Sequence, residues 1–202
     1  MKNKNTSSSE YRNERTLVIV KPDGIQRSLL GEILKRYEQA GLKIIAMKMV
    51  KATPKMIEDH YTLDPEWMRK TGEKNIKAYL DKGLKPPHTD PIKQSKVILE
   101  KLKNYYTSGP VVLAIWQGAN AVEIVRKLTG GTEPLSSDVG TIRGDFVIDS
   151  YKNADDEGRS IRNLVHASGS VKEAMDEIKH WFNETEIMEY VHIQEKILYD
   201  II

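Results

Sequence analysis

Along the chain, short runs that are apolar throughout alternate with longer runs whose apolar residues recur at helical spacing. Thr16-Leu17-Val18-Ile19-Val20 is β-branched and apolar with no polar alternation, which marks a strand buried on both faces. Residues 29–40 carry apolar side chains at 29, 30, 33, 34 and 37, a helical face, with Gly41 as its stop. Residues 42–50 read as a second strand. Thr53 as N-cap and Pro54 at the first position open a helix that runs to about Tyr61. Beyond Asp64-Pro65-Glu66, residues 67–80 suit a helix, residues 83–91 a Pro/Gly/Lys loop, and residues 92–106 an amphipathic helix. In that last helix Ile92, Leu99, Leu102 and Tyr106 share one side, read as core packing, with a subunit contact or a lid as the alternative. Val111 to Trp116 is a third buried strand, and residues 119–128 a helix ended by Gly130-Gly131. Residues 143–148 are expected to form a fourth strand, and 151–159 a charged, solvated loop. A helix is expected over 171–182. Ile193, Ile197 and Leu198 are expected to dock the tail on the body.

The order β-α-β-α, helical insertion, β-α-β-α predicts an α/β (α+β) fold. It is a ferredoxin-like βαββαβ antiparallel sheet with helices on one face, interrupted by an insertion around 63–108. Residues 1–14 are polar and serine-rich and read as a disordered leader; 15–202 read as a single domain.

Composition narrows the function. With 202 residues and 39% hydrophobic content, the chain suits one domain with a sizeable core. Lys+Arg 31 against Asp+Glu 29 leaves a formal charge of +2, so no net field marks a nucleic-acid or membrane binder. Absence of cysteine removes disulfides, thiolate metal sites and thiol nucleophiles. No apolar run reaches the length of a membrane span, and a cytoplasmic protein is expected. No GxxxxGK[ST], GxGxxG or HExxH motif is present.

What remains is a set of cationic and polar side chains beside turns. His166 ends an apolar pair just before a helix that Ser168 or Ser170 can cap. Glu177, eleven residues on, can lean against the imidazole and set its tautomer. Taken alone, this segment reads first as a capped helix with a satisfied histidine. Lys21 ends the first strand, Arg126 precedes Gly130-Gly131, Thr132 follows that pair, Arg143 begins the expected fourth strand, and Asn163 stands three residues before His166. Each is individually an ordinary surface residue; together they make a phosphate site from discrete side chains.

These segments resemble the nucleoside diphosphate kinase family. Asn163-Leu164-Val165-His166-Ala167-Ser168 is similar to its active-site signature, and residues 15–24 to its first strand and lysine. Residues 140–146 are similar to its arginine segment, Gly131-Thr132-Glu133-Pro134 to the start of its nucleotide-covering loop, and Ser108-Gly109-Pro110-Val111-Val112 to the entry of its third strand. The resemblance implies a ping-pong phosphotransferase in which a nucleoside triphosphate, usually ATP, gives its γ-phosphoryl to His166, which passes it to a nucleoside diphosphate. It implies that Glu177 holds the other ring nitrogen and that Lys21 and Tyr61 flank the γ-phosphoryl. Arg126, Thr132 and Arg143 would hold the outer phosphates, Asn163 and Lys21 the sugar hydroxyls, and Ser168 would support Glu177. It further implies Mg²⁺ carried mainly by the nucleotide phosphates, and a homo-oligomer, hexamer or tetramer. Trp67 is the candidate for stacking on the base, with core packing as its rival. His60, one residue before Tyr61, reads as structural. Two alternatives stand beside this reading: a catalytically silent, regulatory nucleotide-binding homologue, and an RNA-binding ferredoxin-like module. The second is disfavoured by aliphatic strands and 7% aromatic content.

Overall fold

In the computed structural model, residues 10–81 and 83–199 are described. Of the expected leader, positions 1–9 lie outside them; Glu10–Asn13 is a 3-10 turn and Glu14 already opens the first strand. Four antiparallel strands among the described residues form one sheet in the order β2-β3-β1-β4. They are β1 (Glu14–Val20), β2 (Lys43–Val50), β3 (Val111–Gly118) and β4 (Val165–Ala167). Helix α1 (Pro22–Gln26) is a single turn, and α2 (Leu30–Gln39) links β1 to β2. Helix α3 (Pro54–Tyr61) is capped by Thr53, whose hydroxyl accepts from the Met56 N–H. The insertion forms α4 (Trp67–Asp81) and α5 (Pro91–Thr107). Helix α6 (Ala121–Thr129) follows β3, then α7 (Ile142–Phe146), α8 (Tyr151–Asp156), α9 (Val171–Trp181) and α10 (Ile193–Tyr199).

The apolar runs of β1 and β3 are buried on both faces, and this corrects the one-sided layering expected. Leu17 and Ile19 point into one core with Leu113, Ile115, Tyr106, Ile57 and Ile178. Val18 and Val20 point into another with Val112, Trp116, Ile33, Tyr37 and Val125. Helices α3, α5 and α9 therefore cover one face, and α2 and α6 the other. A strand whose two faces are both apolar requires this arrangement.

Two further expectations are overturned. Residues 143–148 are not a strand. Thr141 accepts the Gly144 N–H and starts α7, and Gly144 lies so close to the Asp138 carbonyl that a Cβ there would come within 2.1 Å of it. Ile148 ends in solvent. The fourth strand is instead the three-residue β4, which sets His166 opposite Ile19. Residues 151–159 are not a simple loop either. Ser150 caps α8, and the buried Asp149 carboxylate takes hydrogen bonds from Arg159, Asn153 and the Arg162 N–H. In the tail, Ile193, Ile197 and Leu198 are exposed rather than docked. The tail is held through Met188 N–H to the Ile45 carbonyl, Tyr190 O–H to the Ile44 carbonyl, and Glu195 paired with Lys43. Ile92 is likewise exposed, while Leu99 and Tyr106 are buried.

In the insertion, α4 meets the start of α5 at Gly72, where an added Cβ would fall 1.9 Å from the Pro91 carbonyl oxygen. Gly72→Ala should therefore separate the two helices and lower thermal stability by a few degrees, on the order of 1–3 kcal/mol for an overpacked contact. A variant melting with the parent would contradict this packing.

Candidate active site

The residue before β4 is strained into position. Leu164 is fully buried with φ of 61°, and the Val165 N–H reaches the Asn163 carbonyl at 2.6 Å, a tight three-residue turn. The Leu164 carbonyl accepts the Lys21 N–H at 2.7 Å, and its N–H reaches Asp23 Oδ2 at 3.3 Å. The chain leaving β1 and the chain entering β4 are thereby locked together. His166 emerges from the turn half-buried at the floor of a cleft.

Glu177 Oε1 lies 2.7 Å from His166 Nε2, and Glu177 Oε2 accepts the Ser168 hydroxyl at 2.6 Å. Ser168 is itself held on β1: its Oγ accepts the Leu17 N–H, and its own N–H donates to the Leu17 carbonyl. Burial raises the Glu177 pKa, but His166, His60 and the Ser168 hydrogen bond outweigh it and bring it down to about 2. An ionised carboxylate accepts only, so Nε2 carries the His166 proton and Nδ1 keeps its lone pair. A carboxylate lowered in the folded state stabilises the fold above the ordinary carboxylate range, and that contribution fades as pH falls toward 2.

Lys21 is buried where β1 ends. Its Nζ donates to Asn163 Oδ1 at 2.7 Å and lies 5.1 and 5.2 Å from the Tyr105 and Tyr106 ring centroids. Burial, then the Arg143 and Arg162 charges, lower its pKa to about 7 against the opposing pull of Asp23. Asn163 Nδ2 donates to the Thr132 carbonyl at 2.9 Å, so lysine, asparagine and the 130–132 loop form one connected edge.

Arg143 is buried and fans its guanidinium over main-chain carbonyls. Nε donates to Asn163 O (3.1 Å), Nη1 to Gly130 O (3.0 Å) and Gly131 O (2.9 Å), and Nη2 to Val165 O (2.6 Å). Four of the five guanidinium hydrogens are thus occupied, leaving one on Nη2. Arg126 and Thr132 are exposed, and neither side chain is hydrogen-bonded to another described residue. The Tyr61 hydroxyl meets Tyr106 at 3.0 Å, and its ring centroid is 6.4 Å from that of His166 and 5.1 Å from that of Trp67.

A cleft of about 640 Å³ gathers these groups: Lys21, Tyr61, Trp67, Arg126, Thr132, Arg143, Asn163 and His166 all line it. Glu177 and Ser168 sit behind His166, so all ten candidate residues meet at one place. The insertion and the α8 segment both add walls, Lys74 and Lys101 from α4 and α5, Tyr151 and Arg159 from the α8 segment. The sequence reading missed Tyr105, whose hydroxyl donates to Asp23 Oδ1 at 2.7 Å and accepts the Asn163 N–H at 3.1 Å. It also set aside His60, whose ring centroid is 4.7 Å from that of His166. The position beside Tyr61 was the only local signal for His60; for Tyr105 there was none.

The sequence profile described as nucleoside diphosphate kinase matches residues 14–70 and 91–187. The chain belongs to the nucleoside diphosphate kinase family. It is 51% identical to a nucleoside diphosphate kinase of Pyrobaculum aerophilum over 180 residues, covering 87% of this chain and 98% of the relative. A nucleoside diphosphate kinase of Ginglymostoma cirratum is 36% identical over 187 residues, covering 93% and 98%. A crystal structure of the Pyrobaculum aerophilum enzyme superposes with a TM-score of 0.84 at 49% identity, over 88% of this chain and 100% of that one. A transition-state mimic of the Borrelia burgdorferi nucleoside diphosphate kinase with bound vanadate and ADP superposes with a TM-score of 0.76 at 34% identity, over 93% and 98%. Within this nucleoside diphosphate kinase fold, the unmatched residues 71–90 fall in the insertion, from within α4 to the start of α5. Among the described residues, no helix is long and apolar enough to cross a membrane.

Proposed function

We propose that this chain works as a nucleoside diphosphate kinase with His166 as its temporary phosphoryl carrier. The γ-phosphoryl of a nucleoside triphosphate, usually ATP, moves to Nδ1 of His166, and a nucleoside diphosphate then takes it away. The observation that carries this reading is the 2.7 Å pairing of His166 Nε2 with Glu177, which leaves Nδ1 unprotonated in a cation-lined cleft. The Nδ1 lone pair attacks phosphorus, and the bond to the bridging oxygen of the departing diphosphate breaks. The ring gains positive charge as it does so, and the Glu177 carboxylate compensates it. The reverse attack by the terminal oxygen of a second diphosphate restores neutral His166. Lys21, Arg126 and the remaining Arg143 N–H offset the charge of the phosphates, and Thr132 adds a hydroxyl. Tyr61 borders the transferred group, Lys21 and Asn163 meet the sugar, and Trp67 presents a ring face to the base. Ser168 keeps Glu177 in place.

Mg²⁺ would be held by the nucleotide phosphates and would supply partial neutralisation of their charge. Among the described residues, the one group of three ligating side chains is His60, His166 and Glu177, an imidazole-rich set that does not suit this oxygen-seeking ion. The assembly we propose is a homo-oligomer, hexamer or tetramer, consistent with Met47 and Met49 exposed on the edge strand β2. Light scattering at working concentration checks it, a monomer being the contrary result. We assign the protein to the cytoplasm, among its nucleotide substrates.

Initial-rate kinetics test the function. Varying the triphosphate at several fixed diphosphate concentrations should give parallel double-reciprocal lines, since the first product leaves before the second substrate binds. Nucleotide binding without exchange would instead favour a silent regulatory homologue. A further consequence concerns Lys21. Bound phosphate should raise its pKa from about 7 and draw in a proton. Calorimetry at about pH 8 in buffers of different ionisation enthalpy should show uptake approaching one proton per nucleotide. Binding heats independent of buffer would remove Lys21 from the phosphate site.

A further inference from the structure

His60 sits on α3 with 3% of its surface exposed, and its ring meets that of His166 edge to face, 83° between planes. Trp181 Nε1–H donates to its Nδ1 at 3.2 Å. An indole nitrogen only donates, so His60 Nδ1 holds the lone pair and a neutral His60 carries its proton on Nε2. Burial, then the His166 charge, hold His60 neutral, with its pKa lowered to about 3. Among the described residues Nε2 has no hydrogen-bond partner, and it lies 3.6 Å from Glu177 Oε1, beyond hydrogen-bonding distance. One ring nitrogen each of His60 and His166 and a Glu177 oxygen lie within 4.8 Å of one another. The same triangle would suit a transition metal, but a ligating Nε2 must offer a lone pair, and Trp181 keeps that pair on Nδ1.

We propose that His60 is a positioning residue for the nucleophile, its Nε2–H a second donor aimed at the Glu177 oxygen that binds His166, and its ring a wall that fixes the His166 plane. This rests on the phosphohistidine reading above. At 3.6 Å the Nε2–H acts on Oε1 through its dipole rather than through a hydrogen bond. With the His166 hydrogen bond and the field of the His60 N–H on Oε1, and the Ser168 hydroxyl on Oε2, Glu177 is a weaker base toward His166. The proton stays on His166 Nε2, and Nδ1 keeps its lone pair toward the cleft. The titratable groups facing His60 are Tyr61 on its own helix, Glu177 and His180 from α9, His166 from β4 and Lys21 from the end of β1.

The test combines a spectroscopic and a kinetic arm on the full-length protein. Nitrogen-15 NMR of the histidine rings should show His60 protonated at Nε2 in the parent and a mixture of tautomers in Trp181→Phe. His60→Phe keeps a ring against His166 and removes the donor. Rapid-quench phosphorylation by ATP in this variant should slow about tenfold, with the ATP KM unchanged and the acidic limb of the rate profile shifted to higher pH. A parent His60 protonated at Nδ1 overturns the proposal. So does a His60→Phe rate profile that matches the parent, or one lowered equally at every pH, as a purely structural role would give. If His60→Phe does not fold, the parent and Trp181→Phe spectra still decide. Absence of phosphorylation in the parent would instead sink the phosphohistidine reading and leave the tautomer result standing.

Discussion

His166→Ala is expected to reduce phosphoryl exchange by roughly 10⁴-fold or more, the scale of loss when a covalent nucleophile is removed. In the proposed reading the remaining groups would bind and neutralise phosphate but would offer no replacement carrier: Tyr61 is held well above its usual pKa by burial, and Glu177 faces the imidazole from behind. The fold should survive. His166 lies in a three-residue strand at the sheet edge, and Ser168 still bonds Glu177 after the substitution. The cost to stability is about 1–2 kcal/mol, from a buried carboxylate that has lost one partner. Exchange rates and thermal melts on the same preparation measure both. A folded variant with exchange within about tenfold of the parent would show that another group carries the phosphoryl.

Arg143→Ala carries the second large effect, and here rate and stability should fall together. The guanidinium joins the Gly130-Gly131 turn to the carbonyls of Asn163 and Val165, on either side of the strained Leu164. Its loss strands those carbonyls and releases the turn that aims His166. We expect a loss of about 3 kcal/mol or more in denaturant unfolding and a fall of at least about 100-fold in kcat/KM. Arg143→Lys should restore little, because one ammonium with three hydrogens cannot span the four carbonyls that a planar fork reaches. Full rescue by lysine would mean that Arg143 acts only as a charge. Unchanged unfolding of the alanine variant would contradict the bracing role.

Arg143 also shows how far a sequence can be read. Its place among the candidate residues was legible through the family resemblance, but its helix and its four carbonyl partners were not, since those carbonyls lie 12 to 22 residues away and carry no side-chain signature. Strands β1 and β3 were readable because burial on both faces leaves uninterrupted apolar runs. Strand β4 was not, because three residues reading Val-His-Ala make no run, while the apolar Phe146-Val147-Ile148 nearby imitated one. The deciding signals there were the Thr141 cap and the close packing of Gly144. Helices with caps in sequence, such as α3 behind Thr53-Pro54, came out close to their observed bounds. The surroundings of His60 were illegible for a different reason: the tryptophan that sets its tautomer is 121 residues distant, and only the folded chain brings them together.

The central claim is that one nitrogen, Nδ1 of His166, carries the phosphoryl group. Rapid quench after mixing with γ-labelled ATP, followed by alkaline digestion conditions that spare phosphohistidine and by NMR of the isolated phosphopeptide, identifies the atom. The account predicts acid-labile label on His166 at Nδ1, lost on adding a nucleoside diphosphate. Label on Nε2 or on any other residue, or exchange that proceeds with no labelled protein, would contradict it.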